Sequence, residues 1–190
     1  MAENQDIKVD IARSMDDLQQ AFDLRRAEFV QKQHVPESAE FDGNDFTATH
    51  VLAKQGDTAV GTLRIRYFHD FVRFERMCVK EGYRGQDVVD RILNFASDFL
   101  KRKGFDRAHC FCKAELVPYW EKRHHHRILD APVVHAGGME LYPMCFVFPS
   151  VETPIQMNGD PKLLVAPEGK WEPEKPSVRD ALRAARAGGR

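Results

Sequence analysis

At 190 residues and 43% hydrophobic composition, the chain is long enough for one globular domain with a sizeable core. A formal net charge of −1 argues against broad electrostatic attraction to nucleic acid or an anionic membrane, so neither is an expected partner. No apolar run approaches transmembrane length, the polar start MAENQDIKVD is no signal peptide, and the cysteines at 78, 110, 112 and 145 fit no disulfide framework or CxxC pair, which makes a reducing cytoplasm the expected setting.

In chain order, Ile7-Lys8-Val9-Asp10-Ile11 alternates as a strand should. Ser14 offers an N-cap, with Asp17 three residues on, to a helix whose buried stripe is Leu18, Ala21/Phe22 and Phe29. That helix ends near Gln31 or Gln33, and Val35-Pro36 breaks it; residues 37–45 are acidic and mostly loop-like, with room for a short helix. A meander follows, with strands over 47–54, 59–68 and 71–79, turning at Gln55-Gly56-Asp57 and at His69-Asp70. In the second of these, Gly61, Leu63, Ile65 and Tyr67 face one way, and Thr62, Arg64, Arg66 and Phe68 the other.

The third strand runs into a short polar turn and then a long amphipathic helix. Val88/Val89, Ile92/Leu93, Ala96 and Phe99/Leu100 fall at helical spacing, Lys101, Arg102 and Lys103 suit the dipole of the last turn, and Gly104 is a left-handed stop. A strand–turn–helix unit aims its free backbone N–H groups at one point, which suits a phosphate or pyrophosphate. Phe105–Cys112 then reads as a strand, and a strand–helix–strand unit makes the two strands parallel by default.

Residues 77–89, Met-Cys-Val-Lys-Glu-Gly-Tyr-Arg-Gly-Gln-Asp-Val-Val, resemble the phosphate loop of the GNAT superfamily of N-acyltransferases, which often reads L-A-V-H-P-E-Y-R-G-K-G-I-G. Val60-Gly61-Thr62-Leu63-Arg64 is similar to the family's V-G-T-x-R strand, and residues 24–52 resemble the small bacterial ElaA-type branch, with Lys32 in place of the acid of its E-Q pair. The resemblance implies an α/β fold: a single mixed, mostly antiparallel sheet with a splayed parallel strand pair, flanked by helices on both faces. It also implies transfer from acetyl-CoA, or another acyl thioester, to a small-molecule primary amine by direct attack. Arg84, Gly85, Gln86, Asp87, Val88 and Val89 would cradle the pyrophosphate of coenzyme A, and the backbone of Met77, Cys78 and Val79 would hold the pantetheine arm and polarise the thioester carbonyl.

Two positions depart from the family pattern: Asp87 stands where glycine is usual, and Val89 where glycine or alanine is usual. At roughly 6 Å and an effective dielectric near 20, Asp87 would repel a pyrophosphate charge by on the order of 2–3 kcal/mol. The alternative for Asp87 is a place near the helix start, where aspartate is common. These departures, with Lys32, keep open a second function, a catalytically degenerate GNAT-fold protein acting as a binding or assembly module.

Two side chains are candidates for proton transfer. Glu75 is the lone carboxylate of the strand before the loop, and serves either as general base or as a cross-strand ion-pair partner of Arg64, Arg66, Arg73 or Arg76. In the helix over residues 113–123, the family's catalytic tyrosine falls on Tyr119 or on Trp120, depending on a one-residue shift; Tyr119 could protonate the departing thiolate, whereas an indole N–H could not. Cys110 and Cys112 leave room for the acyl arm or are plain core residues. Three adjacent histidines, His124-His125-His126, cannot all face one ion, so no metal is expected; exposed loop histidines are the first reading and cleft-lining histidines the second. Residues 128–148 supply two closing strands around Gly137-Gly138.

The acyltransferase-like domain is thus expected over residues 1–148. Residues 149–190 form a proline-rich arm ending in a short basic helix after Ser177. That helix is too short to stand alone; it docks on its own domain, docks on a second copy to make a homodimer, or frays.

Overall fold

The structure is a computed structural model that describes residues 6–124, 126–136, 139–148 and 154–171. The described residues fall into two compact units, one up to Ile155 and one from Gln156.

Strand β1 (Ile7–Ile11) leads to helix α1 (Met15–Arg25), where the Ser14 hydroxyl accepts the Asp17 N–H at 3.1 Å. The helix continues over Arg26–Gln31 as a wider π-helical stretch, in which the Lys32 N–H reaches back to the Ala27 carbonyl. A single turn, α2 (Glu37–Glu40), precedes the meander β2 (Thr49–Gln55), β3 (Thr58–Tyr67) and β4 (Val72–Val79). Helix α3 (Val88–Arg102) crosses to β5 (Arg107–Lys113). A 3-10 turn at Ala114–Leu116 opens α4 (Val117–His124), and β6 (Arg127–Ile128), β7 (Val134–Ala136) and β8 (Met139–Val147) complete the sheet.

The sheet runs β1-β2-β3-β4-β5-β8-β6, with β7 also on β8, and every pairing is antiparallel except β4 with β5. One face of β3 meets α3, whose stripe Val88, Ile92, Leu93, Ala96, Phe99 and Leu100 is buried throughout. Gly61 permits that approach: a Cβ there would lie 2.9 Å from both Ile92 Cδ1 and Val88 Cγ1. On the other face Ala21, Leu52 and Ala59 form a small core with Ala12 and Phe22.

Two irregularities shape the centre of the sheet. Strands β4 and β5 pair only at Val72 with Ala108 and at Arg73 with His109; beyond that point β4 follows β3 to Val79 while β5 follows β8 to Lys113. The one parallel pair among the described residues therefore opens toward its C-terminal end. Secondly, Arg64 faces Glu75 but Thr62 faces Cys78, so Arg76 and Met77 together oppose Leu63. This is a β-bulge, and Arg76 adopts a left-handed φ of 53° to make it.

The mixed sheet flanked by helices agrees with the expected fold class. Local differences remain. His124 and His126 are buried, not exposed as a histidine-rich loop would be, and His125 lies outside the described residues. The first unit includes Ile155, whose N–H donates to the Arg102 carbonyl at 2.8 Å. In the second unit a short helix, α5 (Pro161–Val165), is capped by Asp160, whose carboxylate accepts the Lys162 N–H at 2.9 Å. The basic helix expected after Ser177, and with it the homodimer contact, lies outside the described residues. Among the described residues no helix is long and apolar enough to cross a membrane.

Candidate active site

The loop from β4 to α3 is built by its glycines. Gly82 and Gly85 have φ values of 89° and 83°, a left-handed conformation that side-chain-bearing residues resist. Turn bonds from Tyr83 N–H to the Lys80 carbonyl and from Gln86 N–H to the Tyr83 carbonyl fold the loop against the helix start. Arg84 is largely exposed at its tip, and its guanidinium is paired with Glu28. Gln86 donates to the Gly82 carbonyl at 3.1 Å, and Val88 is buried as the first residue of α3.

Asp87 occupies the N-cap position, yet its side chain makes no capping bond. It accepts from Arg91 Nε at 3.0 Å, one turn into the helix. The expected repulsion of a pyrophosphate is therefore met by a guanidinium beside the offending charge. Arg91 in turn reaches Asp6 and the Ile7 carbonyl, linking the loop to β1.

Glu28 is the residue that sequence reasoning missed. It sits in the π-helical stretch with its side chain 3% exposed, and holds Lys32 Nζ at 2.7 Å as well as Arg84. A signal was available: Glu28 follows Ala21 and Leu24 at the spacing of the buried stripe, where a carboxylate needs a buried partner. Lys32 also reaches Glu81 at 2.8 Å, so the lysine at the family's acidic position ties the helix to the loop.

A buried ion network lies on the α1 side of β3 and β4. Arg64, fully buried, donates to Asp42, to Asp45 at 3.0 Å, and to Glu75 at 2.6 Å. Arg25, equally buried, donates to Glu40 at 2.7 Å and Asp45 at 2.6 Å, and lies over the rings of Phe22 and Phe41. Arg76, turned by the bulge, pairs with Glu40 at 2.9 Å. Burial by itself would lower the Arg64 pKa, but hydrogen bonds to Asp42 and Asp45 and the charge of Glu75 carry it above the ordinary arginine value. Burial pushes Asp42 up, and the bonds from Arg64 and Asn44 more than reverse that. At Glu40 burial wins and raises the carboxyl above its ordinary value.

Glu75 belongs to this network. Its Oε2 takes Arg64, while Oε1 takes Arg73 at 2.9 Å and Arg66 at 3.6 Å. Of the two roles open to it from sequence, the cross-strand ion pair is the arrangement found. Arg73 also lies 4.9 Å over the Phe111 ring, and His109 packs edge-on against the same ring, so β4 and β5 are bridged where they begin to part.

The cysteines near the opening are not poised as nucleophiles. Burial pushes the Cys110 thiol up to about 12 and the Cys112 thiol up to about 11, and Cys78 higher still. Cys112 contacts the Met144 sulfur at 3.0 Å and is core, whereas Cys110 is half-buried.

At the end of α4, Tyr119 and Trp120 take different surroundings. The Tyr119 hydroxyl shares a hydrogen bond with His124 Nε2 at 3.2 Å, and burial raises its pKa. Trp120 packs between His124 and His126, at 5.2 and 5.1 Å between ring centroids. The other His124 nitrogen, Nδ1, lies 3.6 Å from Asp90 in the first turn of α3, and Arg123 donates to that same aspartate at 2.5 Å. His126 stacks on Phe146; burial, then the charge of His124, lowers its pKa to about 4. Among the described residues no group of three or more His, Cys, Asp or Glu side chains could hold a metal ion.

Among the described residues, then, the sheet opens at its one parallel pair, is bulged on one lip and is followed by a glycine-shaped loop at a helix N-terminus. The family model for the acetyltransferase (GNAT) family matches residues 16–125, more than half of the chain, which therefore belongs to that family and is a transferase by that membership. The chain is 28% identical over 140 residues to the uncharacterized N-acetyltransferase YjcF of Bacillus subtilis, covering 70% of this chain and 99% of that protein. Among solved structures, Escherichia coli ElaA superposes with a TM-score of 0.65 at 22% identity, covering 74% of this chain and 99% of ElaA. An acyl-CoA N-acyltransferase from Pseudomonas aeruginosa superposes at 0.66 with 19% identity, over 74% of this chain and 99% of its own. These two likenesses are of fold.

Proposed function

We propose that the protein transfers an acetyl group from acetyl-CoA, or from a related acyl thioester, to a small-molecule primary amine by direct attack. One observation carries the reading: β4 and β5 separate beyond Arg73 and His109, and the bulge at Arg76 and Met77 interrupts the ladder on the lip of that gap. A bulge leaves backbone polar groups outside the ladder, and an N–H of Met77, Cys78 or Val79 can then hydrogen-bond the arm or the thioester carbonyl. The loop over residues 84–89 would receive the pyrophosphate, with Arg84 turning from Glu28 toward it or spanning both.

In this mechanism the amine nitrogen attacks the thioester carbonyl, forming the C–N bond, and collapse of the tetrahedral intermediate breaks the C–S bond. Tyr119 supplies the proton that the departing thiolate needs. The buried thiols stay out of the reaction, in keeping with direct transfer and no covalent enzyme intermediate. Glu75, with both oxygens held by guanidinium groups, fixes Arg64, Arg66 and Arg73 and thereby the shape of the lip; a proton accepted there would break those pairs. The amine proton goes to solvent.

A degenerate binding module is the second reading, favoured by the Glu28–Arg84 pair, which already satisfies the loop's arginine. Calorimetry with coenzyme A, together with thiol release from acetyl-CoA in a panel of polyamines, amino acids and aminoglycosides, tests both. Micromolar binding with amine-dependent thiol release is the expected result. No thiol release with any amine, whether or not coenzyme A binds, overturns the transferase reading and supports the module.

A further inference from the structure

The Tyr119 hydroxyl does not stand alone. We propose that His124, backed by Asp90, is the proton partner of Tyr119 in thiolate release, a proposal that rests on the acetyl-transfer reading above. Three groups from two helices line up: Tyr119 Oη lies 3.2 Å from His124 Nε2, and His124 Nδ1 lies 3.6 Å from Asp90 Oδ1. Tyr119 is 40% exposed but His124 only 8%, so a substrate can reach the first residue while the second stays packed behind it. Trp120 and His126 hold the imidazole in place, with ring centroids 5.2 and 6.2 Å from it. Asp90 stands two residues past Val88, where α3 begins, so the relay is anchored to the loop that would bind the pyrophosphate.

The direction of the Tyr119 proton depends on the charge of His124. A neutral imidazole with its proton on Nδ1, facing Asp90, accepts the phenolic O–H on Nε2 and turns that proton away from any ligand. An imidazolium donates Nε2–H to the phenolic oxygen instead, leaving the O–H free for the sulfur and favouring phenolate formation. Among the described residues, the charged groups near the imidazole include Asp90 and Arg123, which are paired with each other, and its titratable neighbours include Tyr119 and His126. A carboxylate behind a histidine orients the ring and stabilises its charged form.

The step balances as follows. Cleavage of the C–S bond leaves its electron pair on sulfur, which takes the proton of Tyr119. The phenolate takes the Nε2 proton of the His124 imidazolium. Neutral His124 recovers a proton from solvent before the next turnover, while the acylated amine has released one to solvent. Acting through Tyr119, His124 is a positioning residue.

The test measures kcat against pH by thiol release, using acetyl-CoA and whichever amine of the panel above turns over fastest. The proteins are the full chain and its Tyr119→Phe, His124→Gln and Asp90→Asn variants. For the wild type, kcat should fall on the alkaline side as His124 loses its proton. His124→Gln should lower kcat by about tenfold or more and abolish that alkaline limb, with the KM for acetyl-CoA nearly unchanged. Asp90→Asn should keep the limb but move it to lower pH, since the imidazolium loses its carboxylate. A purely structural role would lower kcat with the profile unmoved. If His124→Gln melts below the assay temperature, the limb of Asp90→Asn, a half-exposed position, decides the matter. Wild-type profiles in both variants, with Tyr119→Phe still impaired by about a hundredfold, overturn the relay alone. A fully active Tyr119→Phe, or no turnover of acetyl-CoA with any amine, overturns the acetyl-transfer mechanism and the relay with it.

Discussion

Replacing Arg64 by methionine removes the hub of the buried network while keeping much of the side chain's volume. Three carboxylates lose a cation: Asp42 loses a two-pronged contact of 2.8 and 3.0 Å, Asp45 one bond of 3.0 Å, and Glu75 two bonds of 3.0 and 2.6 Å. Stranding one partner of a buried ion pair costs about 3–5 kcal/mol. Each carboxylate here keeps another guanidinium: Arg76 for Asp42 at 3.5 Å, Arg25 for Asp45 at 2.6 Å, and Arg73 for Glu75 at 2.9 Å. The expected loss is therefore at the lower end, about 3 kcal/mol near neutral pH. Urea unfolding followed by the fluorescence of Trp120 and Trp171 measures it.

The same experiment at lower pH checks the cause. Burial tends to raise Asp42 and Asp45, but bonds from the arginines leave both below their ordinary value of 3.8. Groups whose folded pKa is depressed contribute stability that is present above the unfolded pKa and lost as pH falls through the folded one. Glu40, raised by burial, has the opposite sign: its contribution is full below its ordinary 4.5 and fades as pH rises through the folded value. Of these three groups Asp42 and Asp45 bond Arg64 directly, so the gap between wild type and Arg64→Met should narrow as pH falls below 3.8. A loss under about 1 kcal/mol, the size of an exposed pair, would refute the reasoning, and so would a gap independent of pH.

Two further substitutions probe the loop and the strand before it. Because Arg91 lies 3.0 Å from Asp87, Asp87→Gly should tighten coenzyme A binding by only about threefold, where an unpaired aspartate would give tenfold or more; calorimetry with coenzyme A separates the two, and a tenfold gain would mean that Arg91 does not shield the charge. Glu75→Gln should lower stability by about 1–3 kcal/mol and reduce kcat equally at all pH values, since it releases Arg64, Arg66 and Arg73; a loss confined to low pH would instead make Glu75 the general base.

Much of this fold is local, and local features were legible in the chain. The α3 stripe from Val88 to Leu100, the Ser14 cap and the two-sided alternation of β3 follow from periods of 3.6 and 2 and from one hydroxyl three residues from a free N–H. The parallel sense of β4 and β5 follows from the handedness of the crossover. What tertiary structure alone decided is which charges meet. Arg64 finds Asp42 and Asp45 about twenty residues back, and Arg84 finds Glu28 more than fifty residues back, because the packing of α1 and the following loop over the sheet closes those distances. Two of the histidines changed character for the same reason: in sequence they belong to a polar run, but His124 at the end of α4 lies against Asp90, His126 stacks on Phe146, and both are buried. Spacing along a chain fixes the face of a helix or strand on which a side chain emerges; the partner across from it is set by register and packing between elements, which no single segment encodes.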